Sequence, residues 1–147
     1  MSEMEKVIEN WEREGISLLP PNEEAAVIAA LNKTGRKYSR DLVDLYCATG
    51  GMKNGEMDSL LLSLWTLDRV VSEGSGYERP FIPFADWLMD SHFYCLKYED
   101  EAKSSVYVDF FSGEEPQRLA ESLSEFFELY LAAPEKIELY DLPPRRI

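Results

Sequence analysis

The sequence predicts an α+β fold: a single domain with a mainly antiparallel sheet of roughly four to six strands and helices packed around it. Three observations carry this. The hydrophobic period is helical over roughly the first fifty residues, changes to short apolar runs and alternation between 60 and 120, and turns helical again at 122–132. The intended strands are joined by short connections, which pair neighbours antiparallel. The 147 residues suit one ordinary domain and hold no repeat, low-complexity tract or linker that would divide it.

The elements follow in order. Residues 2–14 predict a helix, with Met4, Val7, Ile8 and Trp11 at i, i+3, i+4 and i+7 and Gly15 as a stop. Ile16 to Pro21 is an extended link. Asn22 is placed as the N-cap of a second helix, Glu23 and Glu24 suit the positive end of its dipole, Ala25 to Leu31 continue it, and Gly35 ends it. Ser39 caps a third helix, Asp41 stands in its first turn, Leu42, Leu45, Tyr46 and Thr49 face inward, and Gly50-Gly51 terminate it. Met52 to Asp58 reads as a loop. Leu60 to Trp65 is a short apolar run that reads as a buried strand, and Leu67 to Glu73 is a short helix capped by Thr66 or Asp68 and broken at Gly74-Ser75-Gly76.

Strands are then predicted at Phe81–Phe84, His92–Tyr98 and Ser105–Phe111, with a short fifth at Arg118–Ala120. Pro83 has no amide hydrogen to give a ladder, so its strand is placed at an edge or a bulge. Trp87 falls in the loop after that strand, and Glu99 to Lys103 form a polar hairpin loop. The last helix spans Ser122 to Ala132, with a Ser122–Glu125 capping box and an apolar stripe of Leu123, Phe126, Phe127, Tyr130 and Leu131. Residues 133–147 are expected to be a C-terminal tail, extended or frayed over Leu142 to Ile147.

Composition narrows the function. The apolar fraction of 45% is that of a globular protein. No run reaches the roughly 18 apolar residues of a membrane span, and no basic stretch followed by an apolar one marks a secretory signal, so cytoplasmic residence is expected. Cys47 and Cys95 are too few for a disulfide scaffold and read as reduced, buried thiols. Acidic residues number 28 against 15 basic ones, for a net charge of −13. That balance argues against a nucleic-acid partner and favours fast encounter with a basic protein.

No pattern supplies a nucleophile with a base, a phosphate loop, or a metal-ligand set. His92, the only histidine, opens a strand with no partner signature beside it. Glycine pairs lack the phosphate-loop spacing. No catalytic, cofactor or metal residue is assigned, and no enzyme activity is expected; a small enzyme with a dispersed carboxylate site stands as an alternative. The cluster Lys33, Arg36, Lys37 and Arg40 at a helix end reads as a solvated cap ahead of a phosphate site.

Three stretches together resemble the SUKH superfamily, which includes the yeast cell-wall synthesis regulator and many bacterial immunity proteins. They are Leu19-Pro20 leading to Gly50-Gly51; Phe81-Ile82-Pro83-Phe84-Ala85-Asp86 followed by Phe93-Tyr94-Cys95-Leu96 and Val106-Tyr107-Val108; and Ser122-Leu123-Ser124-Glu125-Phe126-Phe127. The resemblance runs from about 16 to 132. Asp90-Ser91 stands where the family usually has Gly-Asp, and Trp87-Leu88-Met89 is more apolar than the family's usual loop. The resemblance implies a bacterial, non-catalytic binding domain without a cofactor. Its expected role is immunity to a polymorphic toxin of nuclease or deaminase type, with a regulatory scaffold that binds endogenous proteins as the alternative. A monomer or weak homodimer is expected.

The partner surface is expected among acidic loops and neighbouring aromatics. Between 86 and 115 stand Asp86, Asp90, Glu99, Asp100, Glu101, Asp109, Glu114 and Glu115, against only Lys97 and Lys103. Asp86, Asp90, Glu99, Asp100 and Glu101 would face a basic toxin cleft in place of phosphates, and Trp87, Tyr94 and Tyr98 would anchor it.

Overall fold

The structure, a computed structural model, describes residues 2–53 and 55–139. In chain order the elements are α1 (Glu3–Arg13), α2 (Glu24–Asn32), α3 (Arg40–Ala48), β1 (Leu62–Leu64), α4 (Leu67–Gly76), β2 (Ile82–Trp87), β3 (His92–Tyr98), β4 (Ser104–Asp109), β5 (Gln117–Ala120) and α5 (Leu123–Ala132), followed by a 3₁₀ turn at Pro134–Ile137. The five strands form one antiparallel meander in the order β1-β2-β3-β4-β5. The fold is α+β, with helices around the sheet.

Alternation along the strands sorts the two faces. Leu64, Ala85, Tyr94 and Val108 share one face and are buried, and Leu96 pairs with Val106 in the same layer. Phe126 of α5 packs there edge-on, 5.8 Å from Phe84 and 5.4 Å from Tyr94. Ser122 Oγ accepts the amide of Glu125 at 3.0 Å, so the cap read from sequence forms and fixes where α5 begins. α1 lies against α5, and a buried carboxylate joins them: Asp58 Oδ2 accepts from the Trp11 indole at 2.9 Å and from the Tyr130 hydroxyl, while its Oδ1 accepts the amides of Leu60 and Leu62. The opposite face carries Phe93, Cys95 and Tyr107, and α4 packs against β2.

Several expectations change. Pro83 does sit at a bulge, but in the interior strand β2, which runs on through Asp86 and Trp87. The strand expected over 60–65 is only Leu62–Leu64, because Leu61 adopts a left-handed φ of 67°. Asn22 does not cap α2. Its amide and side chain both donate to the Tyr46 carbonyl, an orphan acceptor at the end of α3. Leu131 is 40% exposed, whereas Leu123, Phe126, Phe127 and Tyr130 are buried. Cys95 is buried, and Cys47 only half so. The presumed tail begins with structure: Ile137 and Leu139 are buried in the core. Leu142 to Ile147 lie outside the described residues.

Gly50-Gly51 do more than stop a helix. A Cβ on Gly50 would stand 2.5 Å from the Pro20 carbonyl oxygen, and Gly51, at φ 95°, passes Trp65 so closely that a Cβ would meet its carbonyl oxygen at 2.3 Å. Only glycine permits both approaches.

Candidate interaction surface

A single cross-strand row organises one end of the sheet. Asp86 on β2 pairs with Phe93 on β3, which pairs with Asp109 on β4. Both aspartates are buried, and each meets an arginine. Asp86 Oδ2 accepts from the Trp65 indole at 2.6 Å and from Arg69 at 3.2 Å; Arg69 also lies over the Trp65 ring at 4.1 Å and bonds Asp90 Oδ1 at 2.7 Å. Asp109 accepts from the Tyr77 hydroxyl and lies 3.7 Å from Arg79, whose other nitrogen bonds Glu115 at 2.9 Å. Burial pushes the Asp86 carboxyl above the ordinary carboxylate range, and the bonds from Trp65 and from the Asp90 amide oppose that.

Each aspartate also holds a loop in an unusual conformation. Asp86 Oδ1 accepts the amide of Asp90 at 3.2 Å, and Asp109 Oδ1 accepts that of Phe111 at 2.9 Å. The turn Leu88–Ser91 joins β2 to β3 with Leu88, Met89 and Asp90 all left-handed, at φ 47°, 51° and 69°. Phe111, just past β4, has φ 55°, and Leu61, just before β1, has 67°. The Leu88 amide donates to the Leu61 carbonyl at 2.9 Å, and the Trp87 indole donates to the Leu60 carbonyl at 2.9 Å. Five of the six left-handed non-glycine residues named among those described thus gather at one end of the sheet; the sixth, Glu138, gives its carbonyl to Tyr94 nearby. Such backbone costs roughly 1–3 kcal/mol per residue and persists where surrounding bonds over-determine it, often at binding sites.

What this end displays is apolar. Met89 is 79% exposed and Phe111 52% exposed, with Leu60, Leu61 and Leu88 half-buried behind the turn. Beside Phe111 a pocket of about 610 Å³ opens between the end of α4 and the β4–β5 loop, lined by the carboxylates of Glu73, Glu78 and Asp109 with Arg79 as its cation. Asp90, next to Met89, and Glu114 and Glu115, in the β4–β5 loop, are exposed.

The residues expected to form the partner surface do not share one face. Asp86, Trp87 and Tyr94 are buried, with Trp87 stacked on His92 at 5.1 Å and the Tyr94 hydroxyl donating to the carbonyls of Ile137 and Glu138. They are interior groups and cannot anchor a partner. Asp90 is exposed at the left-handed end. Tyr98, Glu99, Asp100 and Glu101 lie at the other end of β3, whose seven residues span roughly 20 Å. There the charges are mixed. Lys97 and Lys103 share the hairpin, Lys37 sits over the Tyr98 ring at 5.4 Å, and the Glu101 carbonyl receives the Arg40 amide at 2.7 Å. Asp100 accepts the amides of Ala102 and Lys103, closing its own turn, and Glu99 accepts from Ser105. Sequence reasoning missed Phe111 and Met89 as surface groups. For Met89 the available signal was the apolar run Trp87-Leu88-Met89 continuing past a strand into a turn.

Two titratable groups near the row are held neutral. Burial pushes the Cys95 thiol up to about 12, away from nucleophilic thiolate. Burial pushes His92 below its usual range, where its ring stacks on Trp87 and meets the Tyr94 hydroxyl at 3.2 Å. Among the described residues, no group of His, Cys, Asp or Glu is placed to hold a metal, and no helix is long and apolar enough to cross a membrane. Comparison with models of known protein families and with curated proteins finds no match.

Proposed function

We propose that this is a non-catalytic binding domain that neutralises a basic bacterial toxin domain by covering it with the left-handed end of the sheet. The observation that carries the reading is the exposed pair Met89 and Phe111, projecting from strained loops that buried Asp86 and Asp109 hold in place. An apolar centre with a polar rim is the usual anatomy of a protein interface. The rim here is acidic on balance: Asp90, Glu78, Glu114 and Glu115 stand near the apolar groups, with Asp90 paired to Arg69 and Glu115 to Arg79, and the net charge of the chain is −13. That pairing suits a basic partner, whose Lys or Arg side chains would enter the pocket beside Phe111. The resemblance to SUKH immunity proteins supports the toxin class.

Affinity capture from the native host tests this. The tagged chain is compared with a Met89→Asp/Phe111→Asp variant and with a Glu99→Gln/Asp100→Asn/Glu101→Gln variant. The expected result is a basic domain retained by wild type and by the triple variant and lost by the double variant. Retention by the double variant, or capture of acidic proteins alone, would contradict the proposal.

A further inference from the structure

One pocket of this acidic chain is lined by cations and by no carboxylate. It lies at the hairpin end of β3, where the α2–α3 link, the α4–β2 link and the last residues of β3 meet, and is a solvent-open hollow of about 540 Å³. Arg36, Lys37 and Lys97 line it together with Pro80, Phe81 and Tyr98. The basic cluster read from sequence is therefore divided. Arg40 turns away to pair with Glu24 and Asp44, whereas Arg36 and Lys37 join Lys97, sixty residues distant in the chain.

The pocket's cations have no anionic partner among the described residues. Arg36 donates to the carbonyls of Gly74, Tyr77 and Arg79, which fixes the guanidinium at the α4–β2 link but leaves its charge uncompensated. Lys37 rests over the Tyr98 ring at 5.4 Å, and Lys97 over Tyr107 at 5.9 Å. Neither lysine is within 4.0 Å of a described carboxylate. Cation–π contacts at exposed sites are weak, so an anion of the right size displaces them easily. Phe81, tilted on Tyr107 at 5.2 Å, and Tyr98 are half-exposed, so ring surface lies beside the free ammonium groups.

We propose that this pocket binds a small phosphorylated compound with a planar ring, of the nucleoside diphosphate class. The ring lies against Phe81 and Tyr98, because aromatic side chains accept any base on its π face. The phosphates lie between Lys37 and Lys97, with the fixed charge of Arg36 behind them. A long polyanion is repelled by the rest of the surface. A small ligand responds to local charge, because exposed charges are screened beyond about 8 Å at physiological ionic strength. The site is at the opposite end of β3 from Met89 and stands independently of the toxin reading.

Calorimetric titration of the full chain with ADP, adenosine and inorganic phosphate tests this, alongside a Lys37→Gln/Lys97→Gln variant and Tyr98→Leu, each checked for native circular dichroism. ADP is expected to saturate one site. Adenosine and phosphate should each bind about tenfold weaker or worse, and both variants should weaken ADP by about tenfold, a change worth 1.4 kcal/mol. The lysines are exposed, so loss of the fold does not confound the double variant. No ADP binding, phosphate binding as tightly as ADP, or undiminished ADP binding to the lysine variant would overturn the proposal.

Discussion

Asp86 and Asp109 stand on either side of Phe93 in one row of the sheet, and each accepts the backbone amide of a left-handed residue, Asp90 at 3.2 Å and Phe111 at 2.9 Å. Each also meets an arginine, Arg69 from α4 and Arg79 from the segment that follows it. One device thus fixes both loops that present the exposed apolar groups. The strain of the loops and the burial of the aspartates belong to the same site.

Removing one of these aspartates should therefore cost stability at a distance from the surface. Asp86→Ala leaves the Trp65 indole without its acceptor and Arg69 without its buried partner, and should cost about 3 kcal/mol or more in urea unfolding. A loss below about 0.5 kcal/mol would show that the row does not hold the turn.

Met89 separates stability from binding. Its side chain contributes little to the core at 79% exposure, yet its backbone sits at φ 51°. Glycine relieves roughly 1–2 kcal/mol of left-handed strain and gives back part of it as unfolded-chain entropy. Met89→Gly should be neutral or up to about 1 kcal/mol more stable, Met89→Val should be less stable by about 1 kcal/mol, and both should weaken partner binding. A Met89→Gly protein clearly less stable than wild type would contradict the strain.

The closing helix gives an internal comparison. Phe127→Ala, at a fully packed site, should cost about 3–5 kcal/mol, whereas Leu131→Ala, at 40% exposure, should cost about 1 kcal/mol or less. Equal losses would mean that the stripe faces differently.

His92 contributes a pH dependence of its own. Burial lowers its folded pKa below the unfolded value of about 6.5. The neutral ring's contribution to stability is therefore full above about pH 6.5 and is lost as pH falls through the lower folded value. Because it is the only histidine, proton NMR of the imidazole reads this directly. Titration at or above 6.5 would contradict it, and so would a His92→Gln protein whose acid sensitivity between pH 7 and 5 matches wild type.

Much of the fold was legible because it rests on local pattern. The i, i+3, i+4 stripe of α1, the cap at Ser122, the bulge at Pro83 and the strand of His92–Tyr98 each need only neighbouring residues. The burial of Asp86 and Asp109 was not legible because its chemistry is not local: Arg69 reaches Asp86 and Arg79 reaches Asp109 across stretches whose pairing the sequence does not announce. Composition counts a buried, paired aspartate and an exposed one alike. The extension of β2 to Trp87 was missed for a different reason, since a loop was expected from Ala85 onward. Pro83 argued for a short edge strand, so Trp87 looked like loop when it ends an interior one. Ile137 and Leu139 lie beyond Pro134, where a helix must stop but a buried chain need not.

The proposed partner surface is the left-handed end of the sheet and not the hairpin at Glu99–Glu101. Amide hydrogen exchange of the complex with the captured partner tests this most directly. Slowed exchange is expected at Leu61, across Leu88–Ser91 and at Phe111–Gly113, with 99–103 unchanged. Slowing confined to 99–103, with the Leu88–Ser91 turn exchanging as in the free protein, would contradict it.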